Sequence, residues 1–142
     1  MIFEPGRKTR LDIHTITSGL DVLPTMLHVT GQDSAAWAEG TILPPYRSAD
    51  PDPNRSVYLV KANKNGQYEP LSRASVTLTK GKYKLHYYFG YKERGIDELI
   101  KLFDIEADPE ELTDLSLTQK GIATELFNEI KIKLTEVNKP YI

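Results

Sequence analysis

Histidine is the side chain best suited to metal binding and to proton transfer near neutral pH, and this sequence contains three of them. No two of His14, His28 and His86 have the i, i+4 spacing that places two zinc ligands on one helix face. Asp12 precedes His14 at a spacing that puts both side chains on one side of a strand, where the carboxylate can orient the imidazole as a general base. No G-x-S-x-G motif supplies a nucleophile for that pair, so we predict no catalytic residue.

Other arrangements that bind ions or phosphates are also missing from the sequence. Residues 49–55, ADPDPNR, have carboxylates at alternate positions as in a calcium loop, but they lack its central glycine and its final glutamate. No glycine-rich stretch matches a phosphate-binding loop. The chain has no cysteine, which excludes disulfides, thiolate catalysis and cysteine-type zinc sites. We therefore expect no metal ion and no other cofactor.

The charged residues form the most informative pattern, because the two signs are concentrated in different parts of the chain. Residues 56–92 contain one acid, Glu69, and seven basic residues: Lys61, Lys64, Arg73, Lys80, Lys82, Lys84 and Lys92. Residues 104–114, called here the acidic segment, contain no basic residue and six acids: Asp104, Glu106, Asp108, Glu110, Glu111 and Asp114. Because the net charge is only −2, the sequence predicts a nearly neutral molecule with separate basic and acidic patches.

Part of the basic patch is expected on the polar face of a β-hairpin. Its candidate binding residues, called here the basic hairpin, are Lys80, Lys82, Lys84, His86 and Tyr88. Contact between the basic hairpin of one copy and the acidic segment of another would build a homo-oligomer or a larger multi-chain complex. We therefore predict a non-enzymatic assembly protein whose partners are other protein chains, of the kind that serves phage virions as a head–tail or tail-completion component.

Three other interpretations fit the same residues. The two charge runs can be solvated faces without a partner. Lysines and a tyrosine on one hairpin can bind single-stranded nucleic acid through phosphate attraction and base stacking, which would make the chain a small regulator. The acidic segment can mimic phosphate or cover a basic active site, as in an inhibitor or an immunity-type protein.

Residues 115–130, LSLTQKGIATELFNEI, resemble the segment that follows the wing in winged-helix regulators of the MarR type. Leu117, Thr118 and Gly121 carry the resemblance, since they match the LT-x-x-G signature that opens a long helix in that family. The resemblance implies DNA binding. The preceding residues depart from the family, because the acidic segment stands where a basic wing and a recognition helix are expected, and phosphate would repel it.

Alternation of apolar and polar residues predicts a β-meander in the middle of the chain. Residues 56–63 and 68–79 have the pattern of strands, and Asn65-Gly66 between them is a strong hairpin signal. Lys80-Gly81 predicts a second tight turn into residues 82–91. In this register all the large apolar residues of the second hairpin fall on one face, as a half-buried sheet requires.

The N-terminal third predicts less regular structure. Residues 10–17 alternate like a short strand, whereas a central proline marks residues 19–31 as an edge strand or irregular chain. Residues 33–40 favour a short turn of helix with Trp37 in the core. Residues 41–55 contain four prolines and predict an extended loop or arm that lies against another surface.

The C-terminal third has helical signals. Residues 95–105 carry apolar side chains at helical spacing, and residues 108–112 resemble the start of a second, short helix. Ser116 and Gln119 predict a capping box before a further helix with one apolar stripe. Residues 129–137 also alternate like a strand, but no turn signal separates them from that helix.

Together these patterns predict an α+β fold, in which a three- to four-stranded antiparallel β-meander is covered on one face by C-terminal helices. The length of 142 residues predicts one domain, residues 1–142. No run of about 18 apolar residues occurs, and no apolar stretch follows the charged start as in a secretory signal. We therefore expect no membrane contact, and a location in the cytoplasm or inside an assembled particle.

Overall fold

The computed structural model of the chain describes residues 6, 8–48, 52–62 and 68–142. The chain divides into two compact units, Met1–Pro51 and Asp52–Ile142. None of the helices within the described residues is long and apolar enough to cross a membrane. The predicted turn at Asn65-Gly66 and three residues of the predicted arm, 49–51, lie outside the described residues. The prediction of a single domain stays a prediction.

The first unit contains a short 3-10 helix, Gly19–Asp21, followed directly by α1, Val22–Val29. A helix therefore occupies the segment predicted as an edge strand or irregular chain. Pro24 is compatible with it because it lies in the first turn, where backbone N–H groups have no partner within the helix. Residues 10–17 do not form the predicted strand, and Trp37 is 76% exposed instead of lying in a core.

A buried carboxylate, Asp21, organises this unit at the start of α1. It accepts hydrogen bonds from the backbone N–H groups of Ser18, at 2.8 Å, and Thr41, at 2.9 Å. Buried Thr25 donates its hydroxyl to the Asp21 carbonyl at 2.6 Å and accepts the N–H of Leu43 at 2.8 Å. These bonds offset the cost of burying polar groups, and they tie the first residues of the predicted arm to α1.

The second unit consists of four antiparallel strands in the order β1-β2-β3-β4 and one long helix. The strands are β1, Ser56–Lys61; β2, Ala74–Lys80; β3, Tyr83–Tyr91; and β4, Ile96–Asp104. The helix, α2, spans Lys120–Asn138 and packs on one face of the sheet. This arrangement confirms the predicted α+β meander.

The turn between β2 and β3 uses Gly81 and Lys82 as its two loop residues, one position later than predicted. Gly81 has φ +55, a left-handed conformation that glycine adopts without the steric penalty of a Cβ atom. Leu78 pairs with Leu85 instead of Tyr83, which is a shift of two residues. Because side chains alternate along a strand with a period of two, the shift leaves the side chains of residues 74–79 and 83–89 on their predicted faces, whereas Lys80 and Lys82 next to the turn depart from theirs.

Residues 96–104 form β4, so the prediction of a helix over 95–105 is wrong. Ile100 and Leu102 pack toward α2, whereas Leu99 and Phe103 occupy the alternate positions on the other face. Apolar residues on both faces of a strand imitate helical spacing. Pairing along the nine residues of β3 decides in favour of a strand, since strand formation depends on neighbours more than on local propensity.

The chain between β4 and α2 is also less helical than predicted. Residues 108–112 form turns instead of a short helix. Gln119 is the N-cap of α2, but its side chain makes no capping hydrogen bond, so the predicted capping box with Ser116 is wrong. Residues 129–137 belong to α2, which confirms the helical interpretation of that segment.

The core lies between the sheet and α2. Its buried side chains come from β2, β3, β4 and α2: Ala74, Val76, Leu78, Leu85, Tyr87, Leu102, Ala123, Leu126 and Ile130. Burial of these side chains therefore positions the polar residues that alternate with them on the opposite face of the sheet.

Replacing Leu102 by alanine should lower the free energy of unfolding by about 2–5 kcal/mol, because the side chain is fully buried and its removal leaves a cavity. Leu117, which is 79% exposed, is the matched control, and Leu117→Ala should change stability by less than about 0.5 kcal/mol. Urea unfolding followed by circular dichroism measures both. Equal effects of the two substitutions would contradict this placement of the core.

Candidate functional site

The residues of the basic hairpin point in two directions. Lys84, His86 and Tyr88 alternate along β3 on the face opposite α2. Lys80, at the end of β2, reaches α2 instead, and Lys82 lies in the turn. The candidate surface predicted from the sequence is therefore divided between two faces of the sheet.

The acidic segment leaves β4 and folds back along this hairpin. At its start the N–H of Ile105 donates to the carbonyl of Lys82 at 2.9 Å, and after its end the N–H of Leu115 donates to the carbonyl of Leu102 at 2.8 Å. The carboxylate of Asp104 pairs with the ammonium of Lys82 at 2.7 Å, and this hydrogen bond is the largest cause that lowers the pKa of Asp104. The segment is thus attached to the hairpin of its own molecule.

Glu111 makes the central contact of this arrangement. One carboxylate oxygen, Oε1, accepts from Lys84 Nζ at 2.5 Å, and the other, Oε2, contacts His86 Nε2 at 2.7 Å. The three side chains are between 19% and 28% exposed, so water screens them only partly. Burial alone would raise the pKa of Glu111, but the hydrogen bonds from Lys84 and His86 outweigh it and lower that pKa.

The imidazole of His86 contacts three further side chains besides Glu111. Its Nδ1 lies 3.0 Å from the hydroxyl of Thr77, its ring stacks on Tyr88, and it makes an edge contact with Phe103. Because an ionised carboxylate can only accept, Nε2 carries a proton toward Glu111. The Thr77 hydroxyl donates to Nδ1 when the imidazole is neutral and accepts from it when the imidazole is charged.

Glu111 has a left-handed backbone, with φ +57, which costs a residue other than glycine about 1–2 kcal/mol. Two charge-assisted hydrogen bonds contribute about 1.5–3 kcal/mol each in favourable settings and offset this cost. A strained residue that is held in place by its side chain is a feature often found at functional positions. We therefore take Lys84, His86 and Glu111 as the candidate site.

The structure brings together only some of the predicted acidic residues. Asp108 and Asp114 accept backbone N–H groups of their own loop, at 2.7 Å from Thr113 and at 2.9 Å from Ser116. Burial acts to raise the pKa of Asp114, but its backbone hydrogen bonds lower it overall. The remaining two, Glu106 and Glu110, are exposed. Binding of a partner by any of these residues stays a prediction.

The premise of separate charge patches is wrong. Lys82 and Lys84 pair with carboxylates of the acidic segment, and Lys80 pairs with Glu129 of α2 at 2.9 Å, all inside one molecule. The charge pattern predicted separate patches because the two charge runs are apart in the sequence, but they become neighbours when β3 and β4 pair. Opposite charges within about 4 Å of each other attract far more strongly than distant patches do.

A second polar cluster, which sequence reasoning missed, lies on the α2 side of the sheet. The carboxylate of Glu129 accepts from the hydroxyls of Ser56 and Tyr58 and from the ammonium of Lys80. Burial acts to raise the pKa of Glu129, but these hydrogen bonds lower it, and burial raises the pKa of Tyr58 above its usual range. Alternation along β1, which puts Ser56 and Tyr58 on one face, was the available signal.

A third cluster borders a groove of about 870 Å³ in the second unit, beside α2. Tyr87 donates its hydroxyl to Glu98 at 2.5 Å, and Lys131 of α2 contacts Glu98 at 2.9 Å. Burial, followed by the bond to Glu98, raises the pKa of Tyr87. No pattern in the sequence singled out Glu98 or Lys131 for this cluster.

The other histidines do not join a site. Asp12 pairs with Arg10 at 2.6 Å, and among the described residues no hydrogen bond joins it to His14, the arrangement considered from the sequence. His14 and His28 are exposed. Within residues 6, 8–48, 52–62 and 68–142, no three His, Cys, Asp or Glu side chains are grouped so that they could hold a metal ion.

A curated protein that is similar to this chain is a choline-sulfatase. No protein-family model matches it. A choline-sulfatase of Rhizobium meliloti (strain 1021) is 33% identical over 126 residues, which cover 85% of this chain and 22% of the relative. The chain thus spans about a fifth of the length of the curated relative it matches.

One solved structure shows a similar fold. The structure of BT4656 in complex with its substrate D-glucosamine-2-N,6-O-disulfate matches with a TM-score of 0.53 and 20% identity, over 85% of this chain and 24% of that one. BT33336S-sulf, from work on glycosaminoglycan metabolism by Bacteroides thetaiotaomicron, matches at a TM-score of 0.47 and 19% identity, over 81% and 24%, which is too low to support an argument. At these identities the likeness concerns the fold alone.

These comparisons overturn the predicted function. A non-enzymatic assembly protein or virion component is wrong, because the curated relative with 33% identity is an enzyme. The same finding overturns the expectation that the chain has no enzymatic role, and it favours neither the nucleic-acid-binding nor the inhibitor alternative. The MarR resemblance also fails, since an antiparallel meander precedes α2 where a recognition helix was implied.

With Glu129→Gln, the free energy of unfolding should decrease less on acidification than it does in the wild type. The folded pKa of Glu129 lies below its ordinary 4.5, so its contribution is present above about pH 4.5 and is lost as the pH falls through the lower folded value. Urea unfolding from about pH 7 to about pH 3 should therefore show a shallower decline for the variant than for the wild type.

Glu125→Gln is the matched control, since Glu125 is 70% exposed and reaches Lys80 only at 4.0 Å. Its stability profile should follow the wild type. A Glu129→Gln profile that also superimposes on the wild type would contradict the role given to this carboxylate.

Proposed function

We propose that this chain forms part of a sulfatase-type enzyme, which hydrolyses an organic sulfate ester to the alcohol, sulfate and a proton. The observation that carries the proposal is the 33% identity to the Rhizobium choline-sulfatase over 126 residues. The similar fold of BT4656, which was solved with a sulfated glucosamine, adds support because the match again covers 85% of this chain. The substrate we propose is therefore a small sulfate ester.

The surface of the first unit supports a place within a larger enzyme. Among its described residues the buried side chains are only Asp21, Pro24 and Thr25. Large apolar side chains are exposed along α1 and just before it: Leu20, Val22, Leu23, Met26 and Val29. Contiguous exposed apolar side chains usually mark a contact surface. The choline-sulfatase is several times longer than this chain, and the remainder of such an enzyme is the partner we assign to this surface.

A chimera tests the proposal directly. The 126 matched residues of the Rhizobium choline-sulfatase are replaced by the corresponding residues of this chain, and sulfate release from choline sulfate is measured. We expect kcat/KM within about tenfold of the parent enzyme, because equivalent segments should complete the same fold at a cost of no more than about 1.4 kcal/mol. The parent enzyme without the segment is the control and should be inactive.

The chimera must first be shown to have the circular dichroism spectrum and the native mass of the parent. A chimera that passes both checks and still releases no more sulfate than the deletion control would overturn the proposed function.

A further inference from the structure

Three nitrogen-bearing side chains lie together on the sheet face opposite α2. Lys84 and His86 alternate along β3, and Lys101 of β4 is the direct cross-strand partner of His86. Direct partners in an antiparallel pair have Cβ atoms about 5 Å apart, so the three side chains share one patch. Lys101 is exposed; Asp114 attracts it electrostatically, but among the described residues no carboxylate forms an ion pair with it within 4.0 Å. Of the carboxylates near the patch, Glu111 is the one that contacts its nitrogen atoms directly.

Glu111 contacts this patch as a bidentate anion would. Its two oxygens engage two different donors, Lys84 Nζ and His86 Nε2. A sulfate group presents pairs of oxygens with a similar separation and accepts the same charge-assisted hydrogen bonds. The carboxylate thus occupies the position that an oxyanion ligand would take.

The loop that carries Glu111 is attached to the sheet by backbone hydrogen bonds that do not involve Glu111. The bonds from Ile105 to Lys82 and from Leu115 to Leu102 tie both ends of the loop to the sheet through the backbone. The tip is exposed at Leu112, which is 77% accessible, and Glu111 itself has a left-handed φ. Withdrawal of Glu111 would therefore relieve local strain and leave the two ends of the loop in place.

We propose that Lys84, His86 and Lys101 form a binding site for a sulfate group, which Glu111 occupies as an internal substitute and which an incoming sulfate takes over by displacing it. The choice of sulfate among oxyanions rests on the proposed function. Since the internal carboxylate competes at a high local concentration, the wild-type chain binds sulfate weakly, and removal of the Glu111 charge strengthens binding.

The test is a titration of the full chain with sodium sulfate at constant ionic strength, followed by the backbone amide resonances of Lys84, His86 and Lys101. We expect the wild type to bind in the millimolar range and Glu111→Gln to bind about tenfold more tightly. Glu110→Gln, which removes an exposed neighbouring charge, is the matched control and should bind like the wild type. Lys84→Met should abolish the chemical-shift changes caused by sulfate, both in the wild type and in the Glu111→Gln variant.

Methyl sulfate and acetate distinguish the ligand classes. Binding of methyl sulfate as well as inorganic sulfate would identify the ligand as a sulfate ester group, whereas inorganic sulfate alone would identify the released product. Equally tight binding of acetate would overturn the assignment of sulfate. Equal affinities of Glu111→Gln and Glu110→Gln, or no shifts at the three residues in the wild type at high sulfate, would overturn the site itself.

The sulfate titration of the wild type does not depend on how well any Glu111 variant folds. All of these results concern binding without turnover, so they are distinguishable from failure of the chimera to hydrolyse choline sulfate.

Discussion

The carboxylate of Glu111, shared between Lys84 and His86, is the contact on which the polar face of the sheet depends. It lies 27 and 25 residues from its two partners along the chain, so it forms only when β3 and β4 have paired and the acidic segment has folded back. Backbone hydrogen bonds attach the two ends of the loop between β4 and α2, and Glu111 attaches the middle of that loop to β3.

Because the basic hairpin pairs with carboxylates of its own molecule, the charge pattern does not indicate assembly with other copies. A chain with a basic stretch and an acidic stretch would assemble with other copies if each stretch faced solvent, but here most of the basic hairpin is paired within the molecule. An exposed apolar surface lies along α1 in the first unit. That surface supports our proposal that the chain forms part of a larger enzyme.

Much of the second unit could be predicted from the sequence. Alternation in β2 and β3 indicated both strands and the face of their side chains, apart from Lys80 and Lys82 next to the turn. The two-residue error in register moved no other side chain to the opposite face. β4 could not be recognised from the sequence. Leu99 and Phe103 are apolar although they lie on the face opposite the core, so the apolar residues of this segment recur at the spacing of a helix. In the first unit α1 was missed because its proline was taken as evidence against regular structure, although the first helical turn tolerates it.

The candidate site was predicted in its residues but not in its geometry. Lys84, His86 and Glu111 were all named as binding residues, but they were assigned to opposite patches, since a sequence shows the sign of each charge and not its partner. The partners of Glu129 and Glu98 come from strands far away in the chain, so no local pattern could indicate them. Long-range pairing, and not composition, decides the electrostatics of this molecule.

The pairing of Lys84 with Glu111 inside one molecule is tested most directly by a double-mutant cycle. The free energies of unfolding of the wild type, Lys84→Met, Glu111→Gln and the double variant are measured by urea denaturation at low protein concentration. An intramolecular pair predicts a coupling energy of about 1 kcal/mol that does not depend on protein concentration. Additive effects within about 0.3 kcal/mol would contradict the account.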